Sequence, residues 1–237
     1  PECIGANQDV FFTNKPGDGG HTFTTSIQAN KVFNWGSAWE LNTTLGYSYN
    51  ESEIGNPGPS FTASENFRAV VATDITNVPL GPSLRNTPHN FVISATISNE
   101  FWSGYKTSLT AFAQRRKGSP LSAVFDGGLS SAIGDTGGRA RNLLYVPTDE
   151  NDALVTFAPT FDTAGFFAFV DRAGLARGAI QGKGGIDETW SSDLDLRFQQ
   201  EIPFFGDSKA KFFLDIENVL NLMNDDWGVK QFINTTD

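Results

Sequence analysis

The chain has 237 residues and a formal net charge of -10; it is 39% hydrophobic and 13% aromatic, with 24 Gly and 21 Phe. Such acidity argues against nucleic acid as a partner, because phosphate binding calls for clustered Lys and Arg. A lone Cys3 and only two histidines, His21 and His89, exclude an intrachain disulfide and disfavour a thiolate or His-rich metal centre.

No run of about 18 apolar residues occurs, so no membrane helix is expected. The abundance of aromatic and β-branched residues with Gly, Ser, Thr and Asn favours strands and turns. Period-two alternation then marks six segments in chain order. Phe23 to Phe33 is a weak one. Trp39 to Asn50 is the clearest: Trp39, Leu41, Thr43, Leu45, Tyr47 and Tyr49 alternate with Glu40, Asn42, Thr44, Gly46, Ser48 and Asn50. Next come Phe91, Ile93, Ala95 and Ile97, and then Tyr105, Leu109, Ala111 and Ala113. In Trp190 to Ile202, Leu194, Leu196 and Phe198 oppose Asp193, Asp195 and Arg197, and the weak segment Ala210 to Asn221 closes the series. About ten alternating residues flanked by aromatics is the dimension of a tilted membrane strand.

The six segments pair into three hairpins whose connections alternate between short and long. The short ones are Asn34-Trp35-Gly36-Ser37, Trp102-Ser103-Gly104 and Pro203 to Ser208. The long ones run from about Glu51 to Thr87, from about Lys117 to Asp187, and onward from Leu222; they are broken by Asn56-Pro57-Gly58-Pro59 and Gly137-Gly138-Arg139. The second is too long to be structureless and is expected to hold short strands or a helix near Phe161 to Ala176. Aromatics bracket every short turn: Phe33, Trp35 and Trp39; Phe101, Trp102 and Tyr105; Phe204 and Phe205. Ringed turns would be sticky patches in water but form a girdle at a lipid headgroup boundary. The fold class expected is therefore all-β, an antiparallel transmembrane β-barrel meander. The alternative is a soluble or surface-attached β-sandwich that binds carbohydrate.

No catalytic constellation emerges, and neither a cofactor nor a metal site is expected. Asp193, Asp195, Arg197, Lys211, Asp215 and Glu217 share the polar face and read as lining of a wet lumen rather than as a hydrolase carboxylate pair. Charge also predicts a register: Arg197 opposite Asp215 and Glu201 opposite Lys211, leaving Asp195 to face Glu217. The acidic run Asp149 to Asp152 lacks the spacing of a calcium loop and reads as solvated charge. Arg115-Arg116-Lys117 suits either lipopolysaccharide phosphates or interfacial snorkelling.

Two stretches resemble a known family: Asp193-Leu-Asp-Leu-Arg-Phe-Gln-Gln-Glu-Ile-Pro203, and Lys211 through Asp215-Ile-Glu-Asn-Val-Leu-Asn221 to Trp227-Gly228. With Tyr145-Val-Pro-Thr-Asp-Glu-Asn-Asp152 and Thr87-Pro-His-Asn-Phe91, they are similar to the C-terminal barrel of TonB-dependent outer-membrane receptors, in particular the Oar-like branch. The resemblance implies a barrel of roughly 22 strands around a plug, active uptake of a solute, and the bacterial outer membrane as location. Its implied partners are outer-membrane lipid and lipopolysaccharide, the remainder of the same barrel, and the TonB complex through a plug region. Plug and TonB-box sequences are absent here, and Asn234-Thr-Thr-Asp237 lacks the family's terminal aromatic. The 237 residues are thus expected to be an excerpt with strands missing on both sides.

Overall fold

The computed structural model describes residues 19–229 apart from 37, 57, 59–61, 64, 65, 67–69, 75, 76, 103 and 126–139. Cys3, Ser37, Pro57, Pro59, Ser103, Gly137, Gly138, Arg139 and Asn234 to Asp237 lie outside the described residues. In chain order the elements are β1 His21–Trp35, β2 Trp39–Ile54, β3 Gly81–Pro82, β4 His89–Trp102, β5 Tyr105–Arg116, β6 Pro120–Leu121, β7 Tyr145–Val146, α1 Thr163–Ala173, β8 Ala179–Ile180, β9 Ile186–Asp187, β10 Ser191–Pro203, β11 Lys209–Ile216 and α2 Val219–Met223. The chain is mostly antiparallel strand. Contacts divide it into two compact units: Pro1–Thr22, Ser52–Asn86 and Pro120–Asp187 form one; Phe23–Glu51, Thr87–Ser119 and Glu188–Asp237 form the other.

Six long strands make one sheet in the order β1-β2-β4-β5-β10-β11, each beside its nearest long neighbour in sequence. All six alternating segments are strands, and the expected meander is present. Gly104 and Gly206 hold positive φ of 82 and 61 in two of the tight turns, a backbone shape that strains any residue carrying a Cβ. For β1 and β2, side-chain bonds from Thr24 to Asn50 (2.7 Å) and Thr44 to Asn30 (2.8 Å), and from the Thr43 hydroxyl to the Lys31 carbonyl (3.0 Å), fix an antiparallel register. Among the described residues β1 and β11 are the ends of the sheet, and it does not close.

The ladder assembles rows of like side chains. Leu41, Ile97, Leu109, Phe198 and Leu214 are successive partners, as are Thr43, Ala95, Ala111, Leu196 and Ile216, and Leu45, Ile93, Ala113 and Leu194. The ends of the strands step along these rows. Counted from Leu41, Ile97, Leu109, Phe198 and Leu214, the long-connection ends draw steadily nearer, from Ile54 through His89 and Arg116 to Ile216. On the tight-turn side Trp39 lies two residues from its row position, and Trp102, Tyr105, Pro203 and Lys209 lie four or five from theirs. The sheet tapers toward β11.

One boundary departs from the expectation of a strand through Asn221. β11 stops at Ile216 and α2 follows. Asp195 Oδ1 accepts the Asn218 backbone N–H at 2.8 Å, withdrawing an amide that a continued ladder would use. Asn218 turns left-handed at φ 52, and its Nδ2 donates to the Gly228 carbonyl at 3.2 Å. The bond also settles the awkward juxtaposition of Asp195 and Glu217, since Asp195 serves a backbone donor.

The first unit contains the apolar core. Val146, Val170, Leu175 and Ile186 are buried together, with Leu121, Phe166, Phe169 and Ala173 packed against them. The helix expected near Phe161 to Ala176 is α1. Asp162 caps its start by accepting the Gly165 N–H at 2.9 Å, and Gly174 ends it with its N–H toward Asp171 and Val170. The pairs β6–β9 and β7–β8 brace this lobe. Lys183 ties it to the end of β2, its Nζ donating to the Ile54 carbonyl at 2.8 Å and to that of Gly55. Replacing Lys183 with Met leaves both carbonyls without this donor. We expect a loss of about 1–3 kcal/mol in the stability of the lobe, seen as faster amide exchange at Val146, Val170 and Leu175 while amides of β4 and β5 keep their protection.

Candidate functional site

The polar face of β10 and β11 brings the expected residues together. Arg197 stands opposite Asp215 and Glu201 opposite Lys211, the register that charge predicts. The Arg197 guanidinium donates through Nε to Asp215 Oδ1 at 2.6 Å and through Nη2 to Oδ2 at 2.8 Å, a bidentate fork. Glu201 gathers Lys209 at 3.3 Å, Lys211 at 3.8 Å and the Lys106 backbone N–H at 3.2 Å. Asp193 lies 3.9 Å from Arg116. Glu217 sits past the end of β11 and is exposed. Thr96 and Thr110 share a hydrogen bond of 2.9 Å across the same face, and Gln114 donates to Asn90 at 2.8 Å. Asp193, Asp195, Glu201 and Asp215 each have a cation or a backbone donor, an arrangement suited to lining an aqueous surface.

The aromatics of the short turns are placed in two groups. Trp35 and Trp39 stack at 6.1 Å, and Phe101 meets Trp39 edge-on at 5.6 Å. Phe204 and Phe205 pair at 5.6 Å, with Phe205 86% exposed. Phe33 is exposed on β1, Trp102 pairs with Tyr105 where β4 turns into β5, and the Lys209 ammonium lies 5.5 Å from the Tyr105 ring. A hollow of about 330 Å³ opens between Asn34, Ala38, Trp39, Glu100 and Lys106.

A second aromatic group, not anticipated as a site, occupies the opposite end of the apolar face. Tyr47 packs on Phe91 at 4.8 Å and donates to or accepts from His89 Nδ1 at 2.9 Å; His89 also stacks on Trp190 at 6.0 Å. Phe23 meets Tyr49, and the Arg115 guanidinium covers Trp190 at 5.3 Å. The signal was present in Tyr47 and Tyr49, which continue the face of Leu41 and Leu45, but their partners on β4 and just before β10 emerge only with the register.

In the lobe, the acidic run is a folded turn. Asp152 Oδ2 accepts the Thr148 N–H at 2.8 Å and the Tyr145 hydroxyl at 2.9 Å, while Oδ1 accepts the Leu154 N–H at 2.9 Å. These donors, the Thr148 amide foremost, hold its carboxyl below the ordinary range; the bond to Asp152 raises the Tyr145 phenol. Among the described residues no group of three or more His, Cys, Asp or Glu is arranged to hold a metal ion. Compared with family models, with characterised proteins and with solved structures, the chain matches none.

Two outcomes are expected. The turn should be stable across a pH plateau. Asp152 contributes fully above about 4, its ordinary value, and that contribution fades as pH falls through the lowered folded value; Tyr145 contributes fully below about 10 and fades as pH rises through its raised one. Asp152→Asn should flatten both limbs in amide exchange at Thr148 and Leu154. On the sheet, Arg197→Asp and Asp215→Arg should each destabilise by roughly 0.2–1 kcal/mol, and the double exchange should recover most of that loss in thermal unfolding.

Proposed function

We propose that the six-stranded sheet is part of the wall of an outer-membrane transport barrel of the TonB-dependent receptor class, not an enzyme. The polar face would line the lumen. Uptake of a solute would be driven through a plug by the TonB complex, with lipid and lipopolysaccharide around the wall.

The observation that carries this reading is an inversion of burial. Among the described residues of the six long strands, the buried ones are Ser98, Asn99 and Ser191, all polar. Leu45, Ile93 and Leu214 remain 53%, 50% and 51% exposed. Burying one such side chain is worth about 1.5–3 kcal/mol. Leaving Leu45, Ile93, Phe198, Leu214 and Ile216 exposed to water, with Leu41, Ile97, Leu194 and Leu196 only part-covered, would forfeit on the order of 5 kcal/mol, a large share of the net stability of a typical domain. Lipid removes that cost. A sandwich would need a second broad sheet to do so, and the other sheets among the described residues are two-stranded.

The spacing of the aromatic groups agrees with the apolar band of a membrane barrel. From Phe91 to Phe101 the aromatic groups are some ten residues apart, ~33 Å along the strand and ~25 Å in height after tilting. The open edges of β1 and β11 require further strands, because each unpaired backbone group in hydrocarbon costs several kcal/mol.

Spin labels test the assignment. In a Cys3→Ser background, labels at Leu45, Ile93 and Leu214 should be relaxed by dissolved oxygen, and labels at Asn42, Thr96 and Gln199 by a water-soluble nickel chelate. Uniform chelate access, or protection of the first set from both relaxants, refutes the lipid-facing wall.

A further inference from the structure

The sheet divides the basic trio Arg115-Arg116-Lys117. Arg116 turns to the polar face, where its Nε donates to the Ser191 hydroxyl at 3.2 Å and its Nη2 lies 3.9 Å from Asp193. Lys117 follows the end of β5, its backbone N–H donating to the His89 carbonyl at 2.9 Å. Arg115 stands on the apolar face, in the row of Tyr47 and Phe91, with Ser192 across the ladder on its other side. That row is the aromatic boundary at the long-connection end of the strands. The Arg115 guanidinium lies 5.3 Å from the centre of the Trp190 ring, and His89 stacks on the same ring. A ring contact of this kind braces the plane of a guanidinium and leaves the N–H donors around its edge. Among the described residues no carboxylate faces Arg115 across either ladder.

Three features of this spot define one ligand. The braced fork and the opposed Ser192 hydroxyl suit a phosphate, which takes a guanidinium bidentately. Phe91 and Trp190 are exposed beside it and offer ring faces to the apolar side of a sugar. Below Arg115 on the same face, β5 carries Ala113 and Ala111, flanked by Ile93 and Leu194 and by Leu196. The small residues leave β5 lower than those flanks, a furrow that runs from the guanidinium into the apolar rows and matches an acyl chain. Phosphate, sugar and acyl chain in that order describe a phosphorylated glycolipid. Resting on the barrel reading above, we propose that Arg115 heads a lipopolysaccharide site on the lipid-facing side of the sheet. Its guanidinium takes a phosphate of the lipid, Phe91 and Trp190 meet the sugar that carries it, and an acyl chain lies along Ala113 and Ala111. Snorkelling would need only a charge, for which a Lys suffices; the fork and the furrow add a preference for one lipid.

The test titrates the full polypeptide in detergent with bis-phosphorylated lipid A, the glycolipid core of lipopolysaccharide, and reads retained lipid by native mass spectrometry. Lipid A stripped of both phosphates should bind at least about tenfold more weakly, the effect of losing a charge-assisted hydrogen bond. Arg115→Gln should bind intact lipid A as weakly as wild type binds the stripped form, and Arg115→Lys, which keeps the charge and loses the fork, should fall between. Ala113→Leu, which fills the furrow and leaves the charge, should also weaken binding. The comparison of the two lipids needs no variant, so a misfolded variant does not remove the test. Equal binding of intact and stripped lipid A, or wild-type binding by Arg115→Gln, overturns the site. Dioleoyl phosphatidylglycerol binding as tightly as lipid A overturns its assignment to lipopolysaccharide. A spin label at Ala113 in a Cys3→Ser background separates this failure from that of the barrel reading. Oxygen access there without phosphate-dependent binding sinks the lipid site alone, whereas nickel-chelate access sinks the membrane wall itself.

Discussion

Backbone pairing between successive strands is the constraint on which the large sheet depends. Among the described residues none of its apolar side chains is fully buried within the chain, so the hydrophobic burial that drives most folding is weak in this half of the molecule. What remains is the obligation of each N–H and C=O to find a partner, and that obligation is satisfied strand by strand along the sequence. The faces follow from it: a slip of one residue would exchange every apolar position with a polar one. Face segregation therefore restricts the register to alternate settings, and the ion pairs of Arg197 and Glu201, weak individually, choose among those that are left.

The two units solve the same problem of exposed surface by opposite means. The lobe turns Val146, Val170, Leu175 and Ile186 inward and closes its helix with a carboxylate at one end and a glycine at the other. The sheet turns Leu45, Ile93 and Leu214 outward. The change between these two patterns falls within β2, whose residues from Ser52 onward belong with the lobe.

Period-two alternation made all six long strands legible, and the charges at Arg197, Glu201, Lys211 and Asp215 made one register legible as well. Both are local or hairpin-range properties, carried by residues close in sequence. The helix α1 was legible from the improbable length of its connection. What stayed hidden depends on non-local pairing or on a single side-chain bond. The cluster of Tyr47, His89, Phe91 and Trp190 needs three strands in register before its members meet. The end of β11 is set by Asp195, a residue more than twenty positions earlier, so the alternating pattern expected through Asn221 misled. The run Asp149 to Asp152 read as solvated charge because the turn that joins Asp152 to Tyr145 is built from backbone amides, which no side-chain pattern announces.

The lobe is discontinuous, and that has a consequence for synthesis. Its segments Ser52–Asn86 and Pro120–Asp187 are separated in the chain by the whole of β4 and β5. Ala72 donates its backbone N–H to the Arg141 carbonyl, and Lys183 reaches back to Ile54, so neither contact can form until the later segment has been made. A chain emerging from its N-terminal end must hold the first connection unfinished while an entire hairpin passes. Contacts of such long sequence separation are slow to close. The hairpin of β4 and β5 can zip locally in the meantime, so the sheet would take shape ahead of the lobe.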